Sequence, residues 1–506
     1  MAAVLGAAAP AARGDGLGTP VAIARDGFGD ARNSYAWSMA WFKGALYVGT
    51  ARSALCVENA TIDFYLPNAG FYRQEPSPGV VCPPAIDQAD LRAEIWRYDP
   101  DAGRWTRVYR SPQVPNPRVP GERVARDIGY RGMLVRTERG GRQALYVAAT
   151  SPDEFLPELR KPRPPRILRT TDGRSFRPLR ARPPVIHTHL GPYRPVGFRA
   201  LAAVHGSLYV TASAGLTGEG VVLRVRHPDG RSPSFEQVSP PKLSVFELAT
   251  FGGRLYAGTG DRESGYGVWR ADGDPPRRWE PVVVDGAGRG ATITSVVSMA
   301  PYRGRLYVGA SGWLSSAFPA SELIRVARDG SWEVVVGDPR RGADGLVRSP
   351  LSGLPDGFGN VFNQHFWRLQ AFRGALLLGT NDWSGSLRDV PGAADLLGSE
   401  FGFDLYGTCD GSHWWTATRD GFGRADDFGV RTMAASRAGL FIGTTNLVRG
   451  TSVYQAPARP CAGAATRSVP PTRPADALPA PVRRALEGGR LRANLPAVRV
   501  GGEARR

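Results

Sequence analysis

Lysine is nearly missing from this chain. Lys43, Lys161 and Lys242 stand alone among 64 basic residues, so the net charge of +18 is carried by arginine. An Arg-, Ala-, Gly- and Pro-rich composition with so little Lys fits a GC-rich bacterial genome. It also fits an anionic partner drawn in by electrostatic focusing. Part of the excess lies at the end, where ten arginines after Ala458 face only Asp476, Glu487 and Glu503. Long apolar runs are absent, and none approaches the roughly 18 residues of a spanning helix. Cysteine is scarce too. Cys56, Cys82, Cys409 and Cys461 show no CxxC spacing, which argues against a zinc ribbon or a thioredoxin-like motif. Cys56 and Cys82 lie in one insertion and can staple it, while Cys409 and Cys461 can tie the tail to the sixth repeat. Both bridges need an oxidising compartment. GxSxG, P-loop and HExxH patterns are missing as well. No cofactor, metal or specific nucleic-acid partner is expected.

What the chain does have is a repeated phrase. Gly44-Ala-Leu-Tyr-Val-Gly-Thr50 returns at Gly206–Ala212, Gly253–Thr259, Gly304–Ala310 and Gly374–Thr380, with looser copies at Gln143–Thr150 and Ala438–Thr444. Each copy follows an apolar segment and a tight turn, and precedes two more segments of alternating, β-branched or aromatic character. Seven copies of four strands, with no helical pattern between them, predict an all-β fold: a seven-bladed β-propeller.

The seventh repeat shows only three strands of its own. Val21-Ala-Ile-Ala-Arg-Asp-Gly-Phe-Gly29 matches the end of the sixth, Trp415-Thr-Ala-Thr-Arg-Asp-Gly-Phe-Gly423. Residues 20–25 are therefore expected to pair near Ser452–Gln455, completing the last blade and covering its edge. The domain boundaries follow: a signal-like or disordered segment 1–19, the propeller 20–457, and a Pro/Ala/Arg-rich disordered tail 458–506 with a short helix near Ala480–Leu491. Met1–Ala12 reads equally as the back half of a secretory signal or as an Ala-rich terminus. The expected location is secreted or cell envelope, and the expected state is a monomer.

The turns between first and second strands are uniformly short. The insertions, at Ala51–Arg92, Ser151–Pro165, Asn381–Phe403 and the links near Pro183–Pro195 and Asp338–Phe362, all fall on the other face. Binding sites concentrate on such loops. Counting back from the Leu of each copy aligns Trp37, Arg131, Arg199, Phe246, Val297, Trp367 and Arg431 at the starts of the first strands. Glu247 and Arg368 lie one place along; Tyr35, Tyr130 and His365 lie just before. Strand starts converge on the channel mouth, so Arg131, Arg199, Arg368 and Arg431, with Trp37, Trp367 and His365, are the candidate ligand-binding residues. Arginine suits bidentate grip on carboxylate or phosphate; stacking of these arginines on neighbouring aromatics is the structural alternative. Loop carboxylates (Asp153, Glu154, Asp261, Glu263, Asp382) form a second candidate set, for glycoside cleavage. His187-Thr-His189, with His365, is the one histidine grouping.

The turns Thr170-Thr-Asp-Gly-Arg-Ser-Phe176 and Thr408-Cys-Asp-Gly-Ser-His-Trp414 resemble the Asp-box of sialidase-like propellers. The Asp-Gly-Phe-Gly phrase (Asp26, Asp356, Asp420) looks like a feature of bacterial repeat propellers. The resemblance covers roughly residues 20–457. It implies structural Asp-boxes opposite an active face, an arginine triad gripping a substrate carboxylate, and a Tyr–Glu pair supplying the nucleophile. Arg131, Arg199 and Arg431, with Tyr130 and Glu247 as catalytic candidates, are the positions for those parts. Three functions stay open: binding of an anionic ligand on the long-loop face, hydrolysis or lysis of an acidic sugar, and a protein–protein scaffold using Trp313 and Trp383.

Overall fold

The computed structural model describes residues 15–65, 79–152, 163–213, 220–312, 320–342, 344–387 and 401–461. Antiparallel strands make up most of it. Among the described residues, seven inner strands pair with the seven copies of the phrase. They are Asn33–Phe42 with Ala45–Arg52, Gly129–Thr137 with Gln143–Thr150, Gly197–Val204 with Ser207–Ser213, and Val245–Phe251 with Arg254–Thr259. Ser295–Tyr302 with Arg305–Ser311, Asn363–Phe372 with Ala375–Asp382, and Gly429–Ser436 with Gly439–Thr445 complete the set. A third and an outer strand extend each sheet, as in Glu94–Asp99 with Arg104–Arg110 and Leu405–Thr408 with Trp414–Thr418.

Each position of the phrase has a physical job. The residue before Ala45 and the one before that take positive φ (Lys43 48°, Gly44 79°), the two-residue turn that matches strand twist. His205-Gly206, Arg303-Gly304 and Arg373-Gly374 repeat it. The second glycine lets the next inner strand come close: a Cβ on Gly49 would lie 2.7 Å from the Tyr130 Cβ, and one on Gly379 2.4 Å from the Val430 Cβ. The tyrosine reaches towards the next repeat's turn, as where Tyr307 Oη donates to the Gly411 carbonyl at 3.4 Å. In those turns Asp172 Oδ1 accepts the amides of Arg174 and Ser175, and Asp410 Oδ1 those of Ser412 and His413, all at 2.8 Å. These Asp-Gly turns are thus closed from within.

The hydrophobic core is divided between neighbouring sheets. One cluster joins Ala40, Phe42 and Tyr47 of the first repeat to Tyr130, Leu145 and Val147 of the second. Another joins Phe372 and Leu377 of the sixth to Met433 and Ile442 of the seventh. A third joins Ala434 and Phe441 of the seventh to Met39, Leu46 and Val48 of the first. Each fully buried Leu, Val or Phe contributes about 1.5–3 kcal/mol, so every sheet depends on the next. Backbone bridges follow the same order: Ala51 to Gly129, Thr150 to Gly197, Ser311 to His365, Asn381 to Gly429, and Thr445 back to Tyr35.

The N-terminal strand Val21–Ala24 pairs with Val453–Ala456, in the register Val21–Gln455 and Ala22–Tyr454. Beyond it the ordered chain runs past the expected limits. Asp15–Leu17 pairs with Ala458–Cys461, so strand pairing extends on both sides of residues 20–457. The cause is the Cys409–Cys461 disulfide, which holds the start of the tail on the sixth repeat. The helix expected near Ala480–Leu491 lies outside the described residues.

Cys56–Cys82 is also a disulfide, and it staples an element the repeat pattern did not announce, the helix Ala54–Tyr65. Leu55, Cys56 and Val57 of that helix pack on Val80, Ile86, Leu91, Ile128 and Leu447. Both bridges point to folding in an oxidising compartment. Among the described residues no helix is long and apolar enough to cross a membrane.

Candidate functional site

Every inner strand is interrupted near its start by a shift in register. The shifts fall at Trp37, Arg131, Arg199–Ala200, Phe246, Val297, Phe366–Trp367 and Arg431. A bulge leaves one residue unopposed and re-aims its side chain. The seven positions aligned by the repeats are therefore the bulge positions. Three arginines settle on an aromatic from the adjacent repeat. Arg131 lies over Trp37 at 5.0 Å, Arg199 over Phe246 at 5.4 Å, and Arg431 over Trp367 at 5.1 Å. Cation–π contacts of this kind are worth about 0.5–2 kcal/mol each.

Stacking does not use up the arginines' charge. Arg431 is only 7% exposed, and its pKa is held well below the usual arginine range. Burial is the largest cause, followed by the charges of Arg199, Arg131 and Arg368; Glu247 acts in the opposite sense. Four guanidinium groups and the Glu247 carboxylate therefore share one electrostatic neighbourhood. The Nε atoms of Arg368 and Arg431 are buried without a hydrogen-bond partner among the described residues. Glu247 Oε1 accepts the amide of Leu248, at 3.1 Å.

His365 belongs to the same group. Its Nδ1 shares a hydrogen bond with Ser311 Oγ. Burial, then Arg199 and Arg431, push its pKa down to about 3. Between about pH 6.5 and pH 3 the unfolded chain binds a proton here that the folded chain refuses. This contribution to stability is complete above that window and is lost as pH falls through it. Urea unfolding at several pH values should show wild-type stability declining below about pH 6.5. His365→Asn should flatten that decline; an unchanged slope would remove His365 as its source.

Tyr130, a catalytic candidate of the sequence, is placed away from the arginines. Its side chain is fully buried in the core between the first two repeats, and its hydroxyl donates to Asp127 Oδ2 at 3.1 Å. Alternation explains this: Arg131 is turned to the site by the bulge, and its neighbour points the other way. Tyr35 is the tyrosine that approaches the arginines. Its hydroxyl donates to Glu58 Oε1 at 3.2 Å, and its ring packs near Trp37 and Trp367. Burial, then the Glu58 charge, hold the phenol well above its usual pKa, while Arg431 and Arg131 act against them. Glu58 was not legible because it sits on the inserted helix, outside the repeat register.

The other candidates do not gather. Asp261 Oδ1 is occupied by the amides of Glu263 and Ser264 at 2.6 and 3.1 Å, in an exposed turn. Asp382 is fully buried, and Asp153, Glu154 and Trp313 lie outside the described residues. His187 is exposed in the hairpin Ile186–Thr188/Gly191–Tyr193, where Gln237 holds its amide. Among the described residues no three His, Cys, Asp or Glu side chains form a group suited to a metal, so the His187/His189/His365 grouping is not assembled. Trp383 packs against Phe362 at 5.0 Å. A separate cleft of about 710 Å³ is lined by Pro115, Arg126, Arg163, Arg166, Pro178 and Arg182; none of the channel arginines borders it.

No protein-family model matches the chain, and no curated protein matches it. Among solved structures it is similar to a chain of the mitotic checkpoint complex (10% identity, TM-score 0.43, covering 90% of this chain and 96% of that one). It is also similar to the GH74 xyloglucanase from Xanthomonas campestris (13%, TM-score 0.46, 89% and 55%) and to puromycin hydrolase (12%, TM-score 0.43, 83% and 51%). The chain spans about half the length of the last two. With these scores, the architecture is read from the strand pairing itself.

Proposed function

We propose that the chain is a seven-bladed β-propeller, closed by Val21–Ala24 as the outer strand of its last blade. On this reading it is an extracytoplasmic protein that binds a small anionic ligand where the inner strands begin, on the long-loop face. The observation that carries the reading is the gathering of Arg131, Arg199 and Arg368 around the buried Arg431, with Glu247 acting in the opposite sense. Like charges at this depth repel one another, and an anion relieves the repulsion while accepting charge-assisted hydrogen bonds. Phosphate, carboxylate and acidic-sugar ligands all offer that chemistry.

Isothermal titration and thermal shift with phosphate, glucuronate, galacturonate, a sialic acid and heparin test it. One of the small anions should bind. Arg431→Ala should weaken that binding by about 10- to 100-fold, the loss of one charge-assisted contact of about 1.5–3 kcal/mol. No binding by any small anion, with melting left unchanged, would leave the arginines as structural stacking groups.

A second reading rests on Tyr35 and Glu58. A phenol whose proton faces a carboxylate, beside clustered arginines, is equipped to attack an acidic sugar at its anomeric carbon while the carboxylate takes the phenol's proton. The glycosidic C–O bond breaks, the aglycone leaves with its electron pair and is protonated from water, and water then hydrolyses the tyrosyl–sugar bond. On this reading 4-methylumbelliferyl glycosides of acidic sugars are cleaved, and Tyr35→Phe and Glu58→Gln each abolish release without abolishing binding. Release that survives both substitutions removes the pair from the chemistry.

A further inference from the structure

The first and sixth repeats enter their inner strands through corresponding eight-residue phrases, identical at five positions. Asp26-Gly-Phe-Gly-Asp-Ala-Arg-Asn33 corresponds to Asp356-Gly-Phe-Gly-Asn-Val-Phe-Asn363. The buried hydrogen bonds correspond too. Asn33 Nδ2 donates to the Gly27 carbonyl at 2.9 Å and to Glu94 Oε2 at 3.0 Å. Asn363 Nδ2 donates to the Gly357 carbonyl at 2.9 Å and to Asp404 Oδ2 at 2.7 Å. Glu94 and Asp404 hold the same place, just before the residue that pairs with the second glycine of the phrase.

The two pockets part in charge at two touching positions, since Asp30 and Arg52 of the first repeat are Asn360 and Asp382 in the sixth. Arg52 pairs with Asn33 in register, and Asp382 pairs with Asn363. In the first repeat the wholly buried Arg52 guanidinium fills the pocket. It donates to Asn33 Oδ1 at 3.1 Å and Asp30 Oδ2 at 2.8 Å, and lies 3.5 Å from Glu94 Oε1. In the sixth repeat a carboxylate stands where that cation stood. Asn360 Nδ2 bridges Asp382 Oδ2 at 2.8 Å and Asp404 Oδ2 at 2.9 Å.

Three oxygens there have no donor among the described residues, although their residues are fully buried: Asn363 Oδ1, Asp404 Oδ1 and Ser384 Oγ. Asn363 Oδ1 is the counterpart of the atom that receives Arg52. We propose that Asp382, Asp404, Asn363 and Ser384 form a binding site for a hard, oxygen-liganded cation of the calcium class. The cation takes the place that the Arg52 guanidinium takes in the first repeat.

The donor set is all oxygen, which favours Ca²⁺ over the softer transition metals. Water completes the six to eight ligands that calcium takes. Both aspartates are fully buried, and Arg419 acts on Asp404 electrostatically. The site also pins the entry end of the strand that carries His365, Trp367 and Arg368.

The test uses the full chain, stripped with chelator and then dialysed against about 1 mM CaCl₂, a concentration suited to extracellular sites. Elemental analysis should find one Ca²⁺ per chain. Melting should rise by about 3 °C once calcium exceeds its Kd a hundredfold. Asp382→Asn and Asp404→Asn should each weaken calcium binding at least about tenfold. Asp382→Arg, copying the first repeat, should fold and melt independently of calcium. A wild-type chain without bound calcium overturns the site, and does so even if the variants fail to fold. Calcium binding unchanged in Asp382→Asn, or calcium-dependent melting in Asp382→Arg, overturns it equally.

Discussion

Glu94→Ala is expected to destabilise the protein by about 3–5 kcal/mol, the range for breaking a buried ion pair from one side. Glu94 is 1% exposed and Arg52 is not exposed at all. The Glu94 carboxylate accepts from Asn33 Nδ2 at 3.0 Å, Trp96 Nε1 at 3.0 Å and Arg107 Nη1 at 2.9 Å, and it neutralises Arg52. Removing it leaves those donors short of an acceptor and Arg52 with Asp30 as its nearest carboxylate, at 2.8 Å. The double variant Arg52→Met/Glu94→Leu should cost much less than the sum of its parts, because the charge leaves with its partner. Urea denaturation of the two single variants and the double variant measures this. A single-variant loss below about 1 kcal/mol would mean that the pair is solvated like a surface salt bridge.

The second large effect is expected from deleting residues 1–29. That segment provides the strand paired with Val453–Ala456. Its Ile23 carbonyl accepts the Trp105 indole N–H at 2.8 Å. Its Phe28 stacks on Trp96 at 4.9 Å and meets Trp105 edge-on at 4.8 Å. Truncating one packed Phe costs about 3–5 kcal/mol by itself, and the deletion also opens a strand edge to aggregation. Melting should fall by at least about 5 °C for a domain of this size, and light scattering should rise. Unchanged melting would mean that the last sheet is complete without the N-terminus.

Part of this was legible because it follows from local chemistry repeated along the chain. A two-residue turn ending in Gly, an alternating strand and a second glycine where strands crowd leave the same mark in most repeats, with Ala148 and Thr211 standing for that glycine in the second and third. The pairing of residues 21–24 with 453–456 was legible for the same reason, since Val21–Gly29 duplicates Trp415–Gly423 in its last five residues. The alignment also located Trp37, Arg131, Arg199, Trp367 and Arg431 at equivalent positions, because a bulge that recurs with the repeat keeps its register.

Direction and long-range company were not legible. Tyr130 and Arg131 are adjacent, and only the bulge decides which of them faces the arginines and which enters the core. Glu58 reaches Tyr35 from an inserted helix that shares no register with the repeats. Arg52 and Asp382 look like ordinary strand-end residues until Asn33 and Asn363 are placed beside them by pairing. The repeated sequence by itself determined the strands, their order and the edge that the N-terminus covers, since these depend on near-neighbour sterics and hydrophobic alternation. The tertiary structure alone decided which charges share a desolvated space, because that depends on residues dozens to hundreds of positions apart.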